Sequence, residues 1–287
     1  MMLPDILSAI ARTLSFVALF QAAGVAIFIA IFGRSLGHSA ARIRQVGSAS
    51  AVIAMVAVFA HYALEAARMA GELAGVLDAS LQQMVAESST GVMVALRLLG
   101  LLAIVLSIRS TWRFSDEVAL IGAAAVIGSF TLVGHTSVNP ARPMLALLLL
   151  AHLFAVAFWF GGLIPLYAVS AREPMRVAGE IIDAFSAIAL WLVPGLMIVG
   201  VLIATLLLPN LSVLREAYGR LLIVKVVGFA FLMVLAAANK LRFAPAIHRG
   251  EAHALLPFQR SITMELAVIV MVLGVTAVMT GFFSPEH

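Results

Sequence analysis

Long runs of apolar residues recur along the whole chain and are separated by short polar gaps. Eight runs are long enough to cross a membrane, because about 20 residues rising 1.5 Å each span ~30 Å of hydrocarbon. They cover residues 7–32, 46–70, 90–108, 118–135, 143–170, 183–208, 218–241 and 262–283. The runs lack the two-residue alternation of barrel strands, and helices satisfy their own backbone hydrogen bonds in lipid. The pattern predicts an all-α bundle of eight transmembrane helices.

The composition supports this assignment. Of all residues 63% are hydrophobic and 11% charged, and the mean hydropathy is +1.11. The longest polar gap, residues 71–89, is too short for a folded domain, so we expect residues 1–287 to form one membrane domain. The first run exceeds the apolar core of a signal peptide, about 7–15 residues, and is expected to be retained. Without cysteine, a soft-metal site would have to use His and Met.

Basic residues are concentrated in alternate gaps. The net charge of +4 does not by itself indicate a nucleic-acid partner, because in a membrane protein the placement of the charge carries the information. By the positive-inside rule the basic gaps face the cytoplasm, and both termini are predicted to lie on the periplasmic side. The residues concerned are Arg34, Arg42, Arg44, Arg109, Arg113, Arg172, Arg176, Lys240, Arg242, Arg249 and Arg260.

Three histidines fall within spans or at their ends, and this orientation places all of them in the outer half. They are His61, His135 and His152, from three different spans. Ionisable residues in lipid are costly and usually face the bundle interior, so a shared metal site is predicted. Met69 and Met93 lie near the same outer level, and thioethers suit cuprous copper. The alternative is that each histidine bonds only a neighbouring helix and that the methionines are packing residues.

Charged residues add a second layer to the outer half. His61 and Glu65 share one face of span two, and Arg97 of span three is a predicted partner for Glu65, either as a structural bridge or in an ion relay. In span seven, Lys225 shares a face with Tyr218 and could neutralise a carboxylate or repel cations in a pathway.

At the inner end of the last spans a second group of polar residues is expected to meet. Glu265 can reach the cluster Asn239–Lys240–Arg242, where the sequence predicts an anchoring ion pair.

One stripe of span five combines small, bulky and polar residues. His152, Ala155, Trp159 and Gly162 follow at helical spacing, and Gly161 adjoins them. Small residues allow a neighbouring helix to approach closely, so the stripe is predicted to face protein, with His152 as one wall of a metal site.

These motifs resemble the CopD family of bacterial inner-membrane copper proteins. The resemblance covers the C-terminal half to two-thirds of the chain, while the N-terminal spans match only in hydropathy and number. The motifs are "GHTS" (134–137), "AHLFAVAFWFGGLIPL" (151–166), "YGRLLIVK" (218–225), "NKLRFAP" (239–245) and "RSITMEL" (260–266). The positions that the resemblance marks are His135, His152, Trp159, Gly161, Gly162, Tyr218, Lys225 and Asn239. Lys240 stands where the family leads us to expect an arginine.

The resemblance implies a protein of the cytoplasmic membrane that moves copper from periplasm toward cytoplasm, beside a periplasmic partner resembling CopC. Such a transporter is not an enzyme and needs no redox centre. Two alternatives stay open. Histidines on different helices can also ligate haem in a b-type membrane oxidoreductase, and an assembly factor could hold copper for delivery without transporting it.

Overall fold

The computed structural model describes residues 2–110, 112–134, 141–208 and 211–283, and within them every regular element is helical. The α-helices are numbered in chain order. They are α1 Leu3–Phe32, α2 Ala40–Ala70, α3 Ala79–Glu87, α4 Ser89–Ile108, α5 Ser115–Gly128, α6 Arg142–Arg172, α7 Met175–Leu207, α8 Ala217–Ala238, α9 Ala244–His248 and α10 Leu255–Phe282.

The all-α prediction and the eight spans are confirmed. Eight helical segments of the described residues are long and apolar enough to cross a membrane, and they correspond one to one to the predicted runs. Helices α3 and α9 are the short additions. Because α8 continues through a π-helical turn, Asn239–Phe243, into α9, the seventh span extends to His248, beyond its predicted end.

The gap between the second and third spans contains a helix that the sequence analysis missed. Asp78 begins α3 by accepting hydrogen bonds from the backbone N–H groups of Ser80 (2.9 Å) and Leu81 (3.1 Å). These bonds lower the pKa of the Asp78 carboxyl, with the hydroxyl of Ser80 as the largest cause. Gly71 ends α2 in the left-handed conformation at φ +79°, which favours glycine. Residues 71–88 therefore form an ordered segment that packs against one end of α2 and α4.

Helix α1 lies at the centre of the bundle. In its most apolar window 72% of the residues are buried, compared with 11% in α7 and in α8. It packs against α2, α5, α6 and α10. Helices α7 and α8 instead present apolar faces outward, as expected for surfaces in contact with lipid or a partner.

Helices α1 and α6 cross with their backbones close together. A Cβ atom at Gly161 would lie 2.9 Å from the carbonyl oxygen of Phe20 and would also meet the backbone of Gly24. The side chain of Gln21 donates to the carbonyl of Gly161 at 3.0 Å across the same crossing. Gly162, which the sequence analysis expected to admit the neighbouring helix, is buried against the ring of Phe185 in α7. The backbone contact therefore depends on Gly161 rather than on Gly162.

Prolines inside two spans do not interrupt them. Helix α6 continues through Pro165, and α7 continues through Pro194 and Gly195. Both segments therefore run as single helices across their prolines.

Candidate metal site

His61 lies on α2 and is 9% exposed. Its Nδ1 atom is 3.2 Å from the hydroxyl of Ser8 on α1 and 3.6 Å from a carboxylate oxygen of Glu65, one turn further along α2. The ring therefore faces the bundle interior, as its polarity requires in lipid. One of its nitrogens is already occupied by a polar contact to the neighbouring helix.

The carboxylate of Glu65 belongs to an ion-pair network, but its partner differs from the predicted one. Arg68 donates to Glu65 at 3.1 Å and to Asp5 at 3.4 Å. Arg97 instead donates to the hydroxyl of Ser129 at 2.9 Å. The predicted Glu65–Arg97 pair is wrong, because Arg68, on the same helix, reaches the carboxylate first.

Arg97 is 3% exposed, and its guanidinium lies 4.3 Å from the centroid of the Phe130 ring. A cation over an aromatic face is attracted by the ring quadrupole. In the described part of the chain no carboxylate lies within 4.0 Å of Arg97.

Positive charge surrounds His61. Arg12, Arg68 and Arg97 all lie close enough to act electrostatically on its ring. The network holds two carboxylates, Asp5 and Glu65, so the three arginines outnumber the carboxylates by one. A metal cation at His61 would therefore be held weakly.

A small cavity opens beside this network. Its volume is about 170 Å³, and it is lined by Glu65, Met69, Met84, Val85, Ser88 and Thr90. Met69, Met84 and Glu65 thus line the same space, and Glu65 also lies 3.6 Å from His61. Met69 was a predicted ligand, whereas Met84 was missed because it lies on α3, in a gap that carried no structural prediction.

His152 occupies a different environment, on α6. Its ring lies within hydrogen-bonding reach of the backbone of Leu196 in α7 and interacts electrostatically with the ammonium group of Lys225 in α8. Within the part of the chain that the structure describes, its Nδ1 atom is buried and has no hydrogen-bond partner. Lys225 has no carboxylate within 4.0 Å among those residues, so the idea that it neutralises one gains no support.

The neighbours identified for the two rings do not overlap. Among residues 2–110, 112–134, 141–208 and 211–283, no group of three or more His, Asp or Glu side chains could hold a metal ion. His135 lies outside the described residues. Met93 is 5% exposed within the apolar core, whereas Met69 is 53% exposed at the cavity. The three-histidine site therefore remains a prediction.

A polar contact that the sequence analysis predicted in part joins α6, the π-helical turn after α8, and α10. The indole N–H of Trp159 donates to Glu265 at 3.2 Å, and the side-chain amide of Asn239 donates to the other carboxylate oxygen. Lys240, a predicted partner of Glu265, pairs with Asp183 at 3.2 Å instead. The predicted anchoring ion pair of Glu265 is wrong, because the π-helical turn brings the neutral Asn239 to the carboxylate.

Two family models together match most of this helical chain. Copper resistance protein D-like, N-terminal domain, matches residues 2–141, and Copper resistance protein D matches residues 179–279. The chain belongs to the copper resistance protein D family. The likeness therefore extends through the N-terminal spans, beyond their hydropathy, and the whole of α6 lies between the two matched regions.

A curated relative carries the same description. Copper resistance protein D of Pseudomonas syringae pv. tomato is 31% identical over 149 residues, which are 47% of this chain and 47% of that protein. The match thus spans about half the length of that relative. The comparison with solved structures found no match. Membership of the copper resistance protein D family associates this chain with copper resistance.

Proposed function

We propose that this protein moves copper across the bacterial inner membrane, from periplasm toward cytoplasm. Copper is the transported substrate, and no catalysed reaction is assigned. Family membership supports the metal, and eight membrane-crossing helices support a role within the bilayer. A periplasmic CopC-like protein is the proposed donor of the ion.

The observation that carries this proposal is the cavity between α2, α3 and the start of α4. Met69 and Met84 offer neutral sulfur ligands, which favour Cu⁺, and Glu65, whose charge is shared with Arg68, adds carboxylate oxygens to the same lining. Placed at the periplasmic end by the positive-inside rule, this cavity is the proposed point of entry.

Inward movement from the cavity would pass from Glu65 to His61, whose separation is 3.6 Å. Conduction requires sites that bind an ion but also release it. The surplus positive charge around His61 supplies that release. His135, His152 and Met93 complete the proposed ligands, and Lys225 beside His152 limits how long a cation stays there.

Copper uptake into proteoliposomes tests the proposal. Wild-type protein should accumulate copper, supplied with a reductant, above the level of empty liposomes. Met69→Leu combined with Met84→Leu should raise the copper concentration needed for half-maximal uptake about tenfold, equivalent to ~1.4 kcal/mol of binding. Met144→Leu is the matched control, because Met144 is 57% exposed and does not line the cavity.

Three outcomes bear on the assignment. Uptake equal to that of empty liposomes, with copper still bound, would overturn transport and favour the delivery role. A Soret band in the purified protein would favour the haem alternative. Unchanged half-maximal uptake in the double methionine variant would exclude the cavity as the entry point.

A further inference from the structure

Glu265 is a carboxyl group inside the membrane with only neutral hydrogen-bond donors. It is 1% exposed, on α10. Trp159 of α6 donates to one oxygen at 3.2 Å, and Asn239 of the π-helical turn donates to the other. An ionised carboxylate buried in this way lacks the cation that normally offsets its desolvation.

The cations of the turn and of the preceding loop are engaged elsewhere. Lys240 pairs with Asp183 at 3.2 Å, and Arg242 lies over the ring of Phe243. His253, before α10, is 3.5 Å from Glu251.

The remaining helices that pack on α10 also bring no cation to Glu265. On α8 the cations are Arg220, which is exposed and donates to the carbonyl of Arg215 at 3.2 Å, and Lys225, whose charge acts on His152 of α6. The arginines of α6 and of α10 itself, Arg142, Arg172 and Arg260, are exposed. On α1 it is Arg12, which approaches α10 at Gly281, 16 residues and about 24 Å along the helix from Glu265. Among the described residues, therefore, no cation lies within 4.0 Å of Glu265.

The amide of Asn239 can serve both protonation states of the carboxyl. Its nitrogen donates to the ionised form, whereas its Oδ1 atom is buried without a hydrogen-bond partner in the described structure. A protonated Glu265 has an O–H that could donate to Oδ1 after the amide rotates. The π-helical turn that positions Asn239 is a feature that frequently marks functional sites.

We propose that Glu265 is a proton-binding site within the bundle, and that its protonation and deprotonation accompany each copper transport cycle. One proton adds to the carboxylate to give the carboxyl and is later released, with no change of oxidation state. The coupling rests on the proposed function, whereas proton binding itself does not.

Trp159 provides a test of proton binding that needs no copper. The chain has three tryptophans, and the other two, Trp112 and Trp191, are 56% and 83% exposed. Replacing both with Phe leaves Trp159 as the only indole. Its fluorescence should titrate with pH in this background, and the titration should be lost in Glu265→Gln and retained, with a shifted midpoint, in Glu265→Asp. A wild-type signal independent of pH, or a titration that persists in Glu265→Gln, would overturn the proton site.

Proteoliposomes test the coupling. Uptake of reduced copper should depend on pH in the wild type, and Glu265→Gln should lose that dependence. Trp159→Phe removes one hydrogen bond but keeps the carboxyl, so it should remain pH-dependent. If the wild type takes up copper and Glu265→Gln shows the same pH dependence as the wild type, the coupling fails while transport stands. If the wild type takes up no copper, transport fails and the fluorescence titration alone decides the proton site. Each variant is first checked for monodispersity in detergent.

Discussion

The crossing of α1 and α6 leads to a quantitative prediction about Gly161. A methyl group there would lie 2.9 Å from the carbonyl oxygen of Phe20, and it would meet the backbone of Gly24. Backbone atoms of a packed helix cannot rotate away as a side chain can. The helices would have to separate, which would also weaken the 3.0 Å hydrogen bond from Gln21 to the carbonyl of Gly161.

The expected cost follows from these contacts. Overpacking in a core usually costs about 1–3 kcal/mol, and a clash between backbones belongs at the upper end. Against this, alanine is favoured over glycine inside a helix by about 0.5–1 kcal/mol. Gly161→Ala should therefore destabilise the protein by about 2 kcal/mol, which is the upper overpacking cost of about 3 kcal/mol less the helix preference of about 0.5–1 kcal/mol.

Thermal loss of monodisperse protein in detergent, followed by size exclusion, measures this effect. Gly195→Ala is the matched control: it lies inside a membrane helix and has nothing within 4 Å of a new methyl group, so it should be neutral or stabilising. Gly162→Ala should fall between the two, because the Phe185 ring can move. A midpoint for Gly161→Ala equal to that of Gly195→Ala would refute the close crossing.

Further predictions concern the loops and the helix crossing. Burial raises the pKa of Glu173, but hydrogen bonds from the hydroxyl and N–H of Ser39 and from the N–H groups of Gly37 and His38 lower it more, so it lies below the ordinary value. The ionised Glu173 carboxylate therefore stabilises the folded protein at pH values above its pKa in the unfolded chain, about 4.3. This stabilisation is lost as the pH falls through the pKa of Glu173 in the folded protein. Glu173→Gln should lower the thermal midpoint at pH 7 by the equivalent of about 1 kcal/mol and much less in acid, and an equal loss at both pH values would contradict this account. Asp78→Ala should speed amide hydrogen exchange in α3 relative to α4, and unchanged exchange would show that the cap does not hold α3. Gly162→Leu should reduce the yield of monodisperse protein, since its larger side chain meets the Phe185 ring, and an unchanged yield would argue against that contact.

The spans and their number were predictable from sequence, because the bilayer imposes a length and an apolarity that local composition reveals directly. The likeness of the N-terminal spans to the family was not predicted, because only hydropathy and span number had matched the family there. The burial of Ala155, Trp159 and Gly162 was also predictable, because helical spacing assigns them to one face.

Pairing between polar residues was less predictable, because it depends on which helices are neighbours and on their rotation. Arg97 was assigned to Glu65 from depth alone, but it faces Ser129 of the turn that follows α5. Glu265 was predicted to reach the cluster Asn239–Lys240–Arg242 and does so, but the π-helical turn, which has no clear sequence signal, presents the neutral Asn239 and not a cation. Met84 escaped notice because polar gaps are usually treated as loops.

The electrostatics of the bundle distinguish between the candidate ligands. His61 and His152 both have cationic neighbours, the arginine cluster at His61 and Lys225 at His152, so each ring would lose affinity for a metal cation. The thioethers at the outer cavity carry no charge and share their space with Glu65. Under the proposed function, capture would therefore depend mainly on Met69 and Met84, and passage on the weaker histidine sites. This division predicts that His61→Ala lowers the rate of uptake more than it raises the copper concentration for half-maximal uptake, whereas the double methionine variant does the reverse. If both variants changed the two quantities in the same proportion, capture and passage would not be separable in this way.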